Sequence, residues 1–175
     1  MFESFFKFMN SEQVATIENE REFLQLTAGQ SYLNGLYRFF KKSDIEYWND
    51  IVYSCFPNYK EIVTVISYDW MGRIYAIKES TKHIMLFEPG SGDVYDTDAD
   101  LVKFHDELIV NYPDECLIME LFTQWFNNNP TPLSYSDCVS YKVPLMLGGG
   151  DELDNLEVCD MDVYWEILKP FILGK

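Results

Sequence analysis

The sequence predicts an α+β fold, a mainly antiparallel sheet with helices packed on it, in one compact domain spanning residues 1–175. Three observations predict it. From Glu61 to Tyr95, short β-rich runs alternate with short turns, as in a meander. On both sides of that region, apolar residues recur at the three-to-four spacing of amphipathic helices. Near the C-terminus, Tyr141 to Trp165 reads as strand, glycine turn, strand and helix.

Phe2, Phe5, Phe6 and Met9 predict a short first helix, and Glu20 to Leu26 a second. Gly29 and Gly35 flank a loop that leads into a strand at Leu36 to Phe40. Ser43 and Glu46 have the spacing of a capping box, in which each side chain bonds the other's backbone amide. The helix they open carries Ile45, Trp48, Ile51 and Val52 on one face, and Pro57 follows its end. Strands are expected at Glu61 to Tyr68, Arg73 to Lys78 and His83 to Phe87. Val94-Tyr95 should form another, after the turn Pro89-Gly-Ser-Gly92. Gly72 is placed to supply the positive φ of a tight hairpin.

Thr97 and Asp100 open a helix with Leu101, Phe104, Leu108 and Ile109 on one face. Pro113 suits the first turn of the next helix, whose inner face holds Leu117, Leu121, Phe122 and Trp125. Residues 127–132 form a turn-rich break. Val143, Leu145 and Leu147 then alternate with Lys142, Pro144 and Met146, predicting a strand. Gly148 to Gly150 make a turn, and Leu156 and Val158 a second strand. Asp160 caps the last helix, with Val163, Ile167 and Phe171 inward and Pro170 kinking or ending it.

Aromatics are 17% of the chain, enough for a core, so disorder is not expected despite the charge. The net charge is −16, from 29 acidic and 13 basic residues. Phosphates would be repelled, which argues against nucleic acid and anionic membranes and favours a basic protein partner. No secretory leader and no membrane span is read, so the expected location is the cytoplasm. Cys55, Cys116, Cys138 and Cys159 show no CxxC spacing and read as reduced thiols.

No catalytic group, metal site or cofactor is predicted. Asp96, Asp98, Asp100 and Glu107 imitate a calcium loop, but Leu101 stands where its sharp turn needs glycine. A charged helix start explains those acids. His83 and His105 lack a local cysteine signature. Gly148-Gly-Gly150 has no following Lys-Ser/Thr pair, and Asp151 would repel a phosphate. The concentrated feature is acidic. Asp151, Glu152, Asp154, Glu157, Asp160, Asp162 and Glu166 occur with no Lys or Arg between them. They read either as a solvated edge or as a docking face for a basic protein.

Tyr141-Lys-Val-Pro-Leu-Met-Leu-Gly-Gly149, Asn155-Leu-Glu-Val158 and Asp160-Met-Asp-Val-Tyr-Trp165 resemble the C-terminal domain of the Tdi immunity proteins of type VI secretion. Ser31-Tyr-Leu-Asn-Gly-Leu-Tyr-Arg38, Asp69-Trp-Met-Gly-Arg73 and Phe87-Glu-Pro-Gly-Ser-Gly92 fit as well, and the front part is similar to the GAD-like domain that precedes it in such proteins. The resemblance implies a GAD-like sheet-rich lobe over 1–95 and a Tdi-type lobe over 96–175. It also implies a non-enzymatic immunity protein that binds and neutralises a cognate toxin, a nuclease in the named case. No catalytic residue carries over. Gly35, Trp70, Gly72, Gly90, Pro144, Gly148, Gly149 and Trp165 are expected to be structural. Asp151, Glu152, Asp154, Glu157 and Asp162 are the expected partner-binding residues. A small-ligand- or metal-binding regulatory domain is the alternative, and a hydrolase pairing Cys138 or Cys159 with a histidine the third reading.

Overall fold

The computed structural model describes residues 1–11 and 16–175. Helices α1 (Glu3–Phe8) and α2 (Glu20–Thr27) precede the sheet. Its strands are β1 (Ser31–Tyr32), β2 (Tyr37–Phe39), β3 (Val63–Asp69), β4 (Ile74–Lys78), β5 (Ile84–Glu88) and β6 (Asp93–Asp96), antiparallel and in chain order. Helix α3 (Ile45–Cys55) lies between β2 and β3 in sequence. After β6, α4 (Leu101–Lys103) runs through a π-helical turn, Phe104–Leu108, into α5 (Ile109–Asn111). Then come α6 (Pro113–Leu117), α7 (Met119–Asn128), the ribbon of β7 (Asp137–Tyr141) and β8 (Leu156–Asp160), and α8 (Met161–Leu173).

The sheet is covered on both faces, and its alternation divides the core in two. Tyr37, Phe39, Ile66, Tyr75, Ile84 and Leu86 point to one face, where α1, α2, α4–α5 and α6–α7 bring Phe5, Phe23, Phe104, Leu117 and Trp125. Val63, Val65, Tyr68, Ile74, Ala76, Met85 and Phe87 point to the other, where α3 and α8 bring Trp48, Val52, Trp165 and Leu168. Because both faces are covered, β3 is almost continuously buried rather than alternating.

The hairpin Asp69-Trp-Met-Gly-Arg73 joins the two cores. Asp69 accepts hydrogen bonds from the Met71 and Arg73 amides and, at 2.6 Å, from Arg73 Nε. Trp70 Nε1 donates to the Leu117 carbonyl and Trp165 Nε1 to that of Gly72. Gly72 has φ 72°, and a Cβ there would meet Cys138 at 3.2 Å, so positive φ and close approach both demand glycine. Trp70 and Trp165 are fully buried, as expected. Gly35 and Gly90 sit in turns beside the sheet, and Pro144 leads into the short 3-10 turn that Gly148 and Gly149 follow. A Cβ on Gly149 would fall 1.8 Å from the Val143 carbonyl oxygen, so the glycine turn closes only without a side chain.

Several local expectations are corrected. Residues 143–147 are not a strand: Leu145–Leu147 is a 3-10 turn, and Val143 and Leu147 are exposed. The strand lies just before, at β7. No capping box forms at Ser43: a 3-10 turn, Lys42–Asp44, precedes α3, and Ser43 Oγ bonds Asp44 instead. The helix after Pro113 breaks at Ile118, which has φ 52°.

His105 is buried in the first core. Its Nδ1 donates to the Leu101 carbonyl at 2.8 Å, so Nε2 accepts from the Tyr37 hydroxyl at 3.0 Å. Burial therefore drops its pKa from 6.5 to about 3. The folded state holds His105 neutral while the unfolded chain protonates it. Its contribution is complete above pH 6.5 and is lost as pH falls toward 3. Over that window the loss should be about 1.4 kcal/mol per pH unit. Urea unfolding of wild type and His105→Gln between pH 7 and 5 should show the steeper decline in wild type. Parallel curves would refute the neutral, buried state.

Candidate functional site

Asp160 caps α8, its Oδ1 accepting from the Asp162 and Val163 amides at 3.0 and 3.2 Å. The buried face holds Met161, Tyr164, Trp165, Leu168 and Ile172. Val163, Ile167 and Phe171, expected inward, point outward at 53%, 58% and 41% exposure. The helix also runs through Pro170 rather than ending there. Glu166, whose carbonyl loses its amide partner to Pro170, is exposed, so water can replace the missing donor. Two apolar stripes compete on this helix, and the one with the two large aromatics is taken by the core. The other forms a surface band with Glu166 beside it.

The acidic segment is distributed around this helix and the ribbon. Asp151, Glu152 and Asp154 are exposed on the loop before β8, although Asp151 Oδ1 accepts from the Tyr141 hydroxyl at 2.7 Å. Asp154 and Glu157 line a polar cleft of about 390 Å³ with Trp125, Asn128 and Asn129. Asp160 and Asp162 line a second cleft, of about 280 Å³, with Asp44, Tyr47, Trp48, Tyr68 and Tyr135. There, one carboxylate oxygen of Asp162 is shielded from solvent and unpartnered among the described residues. Hydrogen bonding to Asp162, then burial, then the charges of Asp162, Glu166 and Asp160 push the Tyr47 hydroxyl up to about 12. Aromatic rings and carboxylates around one hollow suit an ammonium or guanidinium group.

Residues 112–171 match the family model described as T6SS immunity protein Tdi1, C-terminal. The matched segment contains the β7–β8 ribbon, the acidic residues and all three outward residues of α8. The crystal structure of Atu4351 from Agrobacterium tumefaciens is similar across 97% of this chain and 88% of that one, with a TM-score of 0.67 and 15% identity. That likeness covers both the six-stranded sheet and the Tdi1-like segment and shows a shared fold. No curated protein matches the chain.

The calcium-loop spacing is not realised: Asp100 caps α4 through the Lys103 amide, and Glu107 lies in the π-helical turn. Asp96 instead meets His83 Nδ1 at 3.0 Å, with Asp98 at 3.8 Å. These three offer ligand atoms within 4.8 Å of one another, and Lys78 Nζ lies 3.8 Å from Asp96. His105 belongs to the first core, while Cys138 and Cys159 belong to the second, so the sheet separates His105 from both cysteines.

Sequence reasoning missed Arg38 and Arg73, both buried. Arg38 donates to the carbonyls of Ser134, Asp137 and Asp69 and stacks over Tyr68 at 4.5 Å, fixing the segment that leads into β7. The signal was present: an arginine inside the aromatic run Leu36-Tyr-Arg-Phe-Phe40 has no solvent face to use.

Proposed function

We propose that this protein is a non-enzymatic immunity protein that binds and neutralises a cognate toxin, with a nuclease as the toxin class. The match to the Tdi1 C-terminal family supports a type VI secretion immunity role. The observation that carries the docking site is the apolar band Val163, Ile167 and Phe171, left outside the core beside Glu166, Asp160 and Asp162. An apolar centre with a charged rim is the anatomy of a protein interface. A nuclease carries positive charge where it grips phosphates, and a chain of net charge −16 complements it. The proposed location is the cytoplasm. Residues 1–95 form the GAD-like lobe in this reading and 96–175 the Tdi-type lobe. The ribbon, which sends Val139 to one core and Cys138 to the other, supports treating them as one domain.

The deciding experiment is co-expression with the product of a toxin-like gene, sought first beside the gene for this protein. Restored growth and a stoichiometric complex on purification are expected; separate elution and continued killing would overturn the reading. Within the complex, the variant Asp151→Asn, Glu152→Gln, Asp154→Asn should slow association about tenfold at low salt and less at high salt. The fold should hold, since all three residues are exposed and the amide oxygen introduced by Asp151→Asn still accepts from Tyr141. An unchanged association rate at low salt would leave these acids as solvated surface.

A further inference from the structure

Cys138 of β7 and Cys159 of β8 stand directly opposite each other in the antiparallel register. Their sulfurs are 3.6 Å apart, and both are free thiols. Facing residues on such strands lie about 4.5–5.5 Å apart at Cα, within the roughly 4.4–6.8 Å that a disulfide spans. A bond between them requires side-chain rotation and no strand slip. The two thiols differ in access. Cys138 is fully buried against the Gly72 turn, whereas Cys159 is half-buried at the ribbon surface.

We propose that Cys138 and Cys159 are a site of reversible oxidation, forming a cross-strand disulfide when the protein meets a hydroperoxide, with Cys159 reacting first and Cys138 resolving. The Cys159 thiolate attacks a peroxide oxygen, the O–O bond breaks, and a sulfenic acid and hydroxide form. The Cys138 sulfur then attacks the Cys159 sulfur. The S–S bond forms, the S–O bond breaks, and the hydroxyl departs as water with the Cys138 proton. Two electrons pass from the thiols to the peroxide, and a dithiol reductant returns them.

The surroundings assign the order. Hydrogen bonds from Cys138, then from Ser140, outweigh burial and hold the Cys159 thiol down to about 7. Burial pushes Cys138, Cys55 and Cys116 up. At neutral pH Cys159 therefore carries more thiolate than an ordinary thiol near 8.5.

The test is hydrogen peroxide on the intact protein at pH 7, with peptides mapped by mass spectrometry without reduction. A peptide pair joined through Cys138 and Cys159 is expected, lost again on adding dithiothreitol. Alkylation of Cys159 should outpace that of Cys55 and Cys116 by about tenfold and reach half its maximal rate near pH 7. In Cys138→Ala the reaction should stop at a sulfenic acid on Cys159, trapped by dimedone. Should that variant not fold, the wild-type map alone decides. The proposal is overturned if peroxide leaves both thiols free, if the disulfide forms only in denaturant, or if Cys55 or Cys116 oxidises as fast.

Discussion

Trp165→Ala is expected to lower the unfolding free energy by about 3–5 kcal/mol, the usual cost of removing a fully buried aromatic. Trp165 has no exposed surface and sits in the second core with Phe56, Phe87 and Leu168. Its Nε1 donates to the Gly72 carbonyl at 2.8 Å, which ties α8 to the hairpin joining both cores. Alanine would leave a cavity and also an unpartnered carbonyl, and the two costs add. Trp165→Phe refills most of the cavity but not the hydrogen bond, so its loss should be smaller. Urea titrations of the three proteins should rank them wild type, Phe, Ala. An unchanged midpoint for Trp165→Ala would show that α8 does not anchor the fold.

Much of this fold was legible in the sequence. The meander from Val63 to Asp96 was readable because its turns are short and two of them place glycine at positive φ, Gly72 and Gly92, although the β4–β5 turn uses Lys82 instead. The helices around Trp48 and Trp125 were readable because each has one dominant apolar stripe. Where two stripes compete, periodicity cannot choose. Helix α8 has apolar residues nearly all round, and Val163-Ile167-Phe171 fits helical spacing as well as Tyr164-Leu168-Ile172. Volume settled it, because Trp165 lies on the second stripe and fills the core. Residues 143–147 failed differently: they alternate like a strand, but they have no neighbour to pair with, and the side chain of Asn155 ties Val143 into the loop instead. The acids of the candidate site were visible as a run. The placing of Asp160 and Asp162 in one cleft, with Asp154 and Glu157 in another, was not, because Asp44 just before α3 and Tyr47 on it complete the first from more than a hundred residues away.

In the proposed reading the surplus stripe on α8 is the docking face, and it gives the largest functional prediction. Ile167→Lys should weaken toxin binding at least a hundredfold, corresponding to the roughly 2–4 kcal/mol of a central interface residue. Two effects act together: an apolar contact is removed, and a positive charge is placed against a basic partner. Stability should change by no more than about 0.5 kcal/mol, because Ile167 is 58% exposed and lysine is a good helix former. Phe171→Ala should act in the same direction, and most of either loss should appear as faster dissociation. Ile62→Lys is the control, since Ile62 is also exposed but lies just before β3, outside the Tdi1-like segment. Binding kinetics of the four proteins with the purified toxin, at low and high salt, separate apolar from electrostatic contributions. Wild-type affinity in Ile167→Lys would remove α8 from the contact. The Tyr47 cleft, with the unpartnered oxygen of Asp162, would then be the face to test, using Asp162→Asn and Tyr47→Ala.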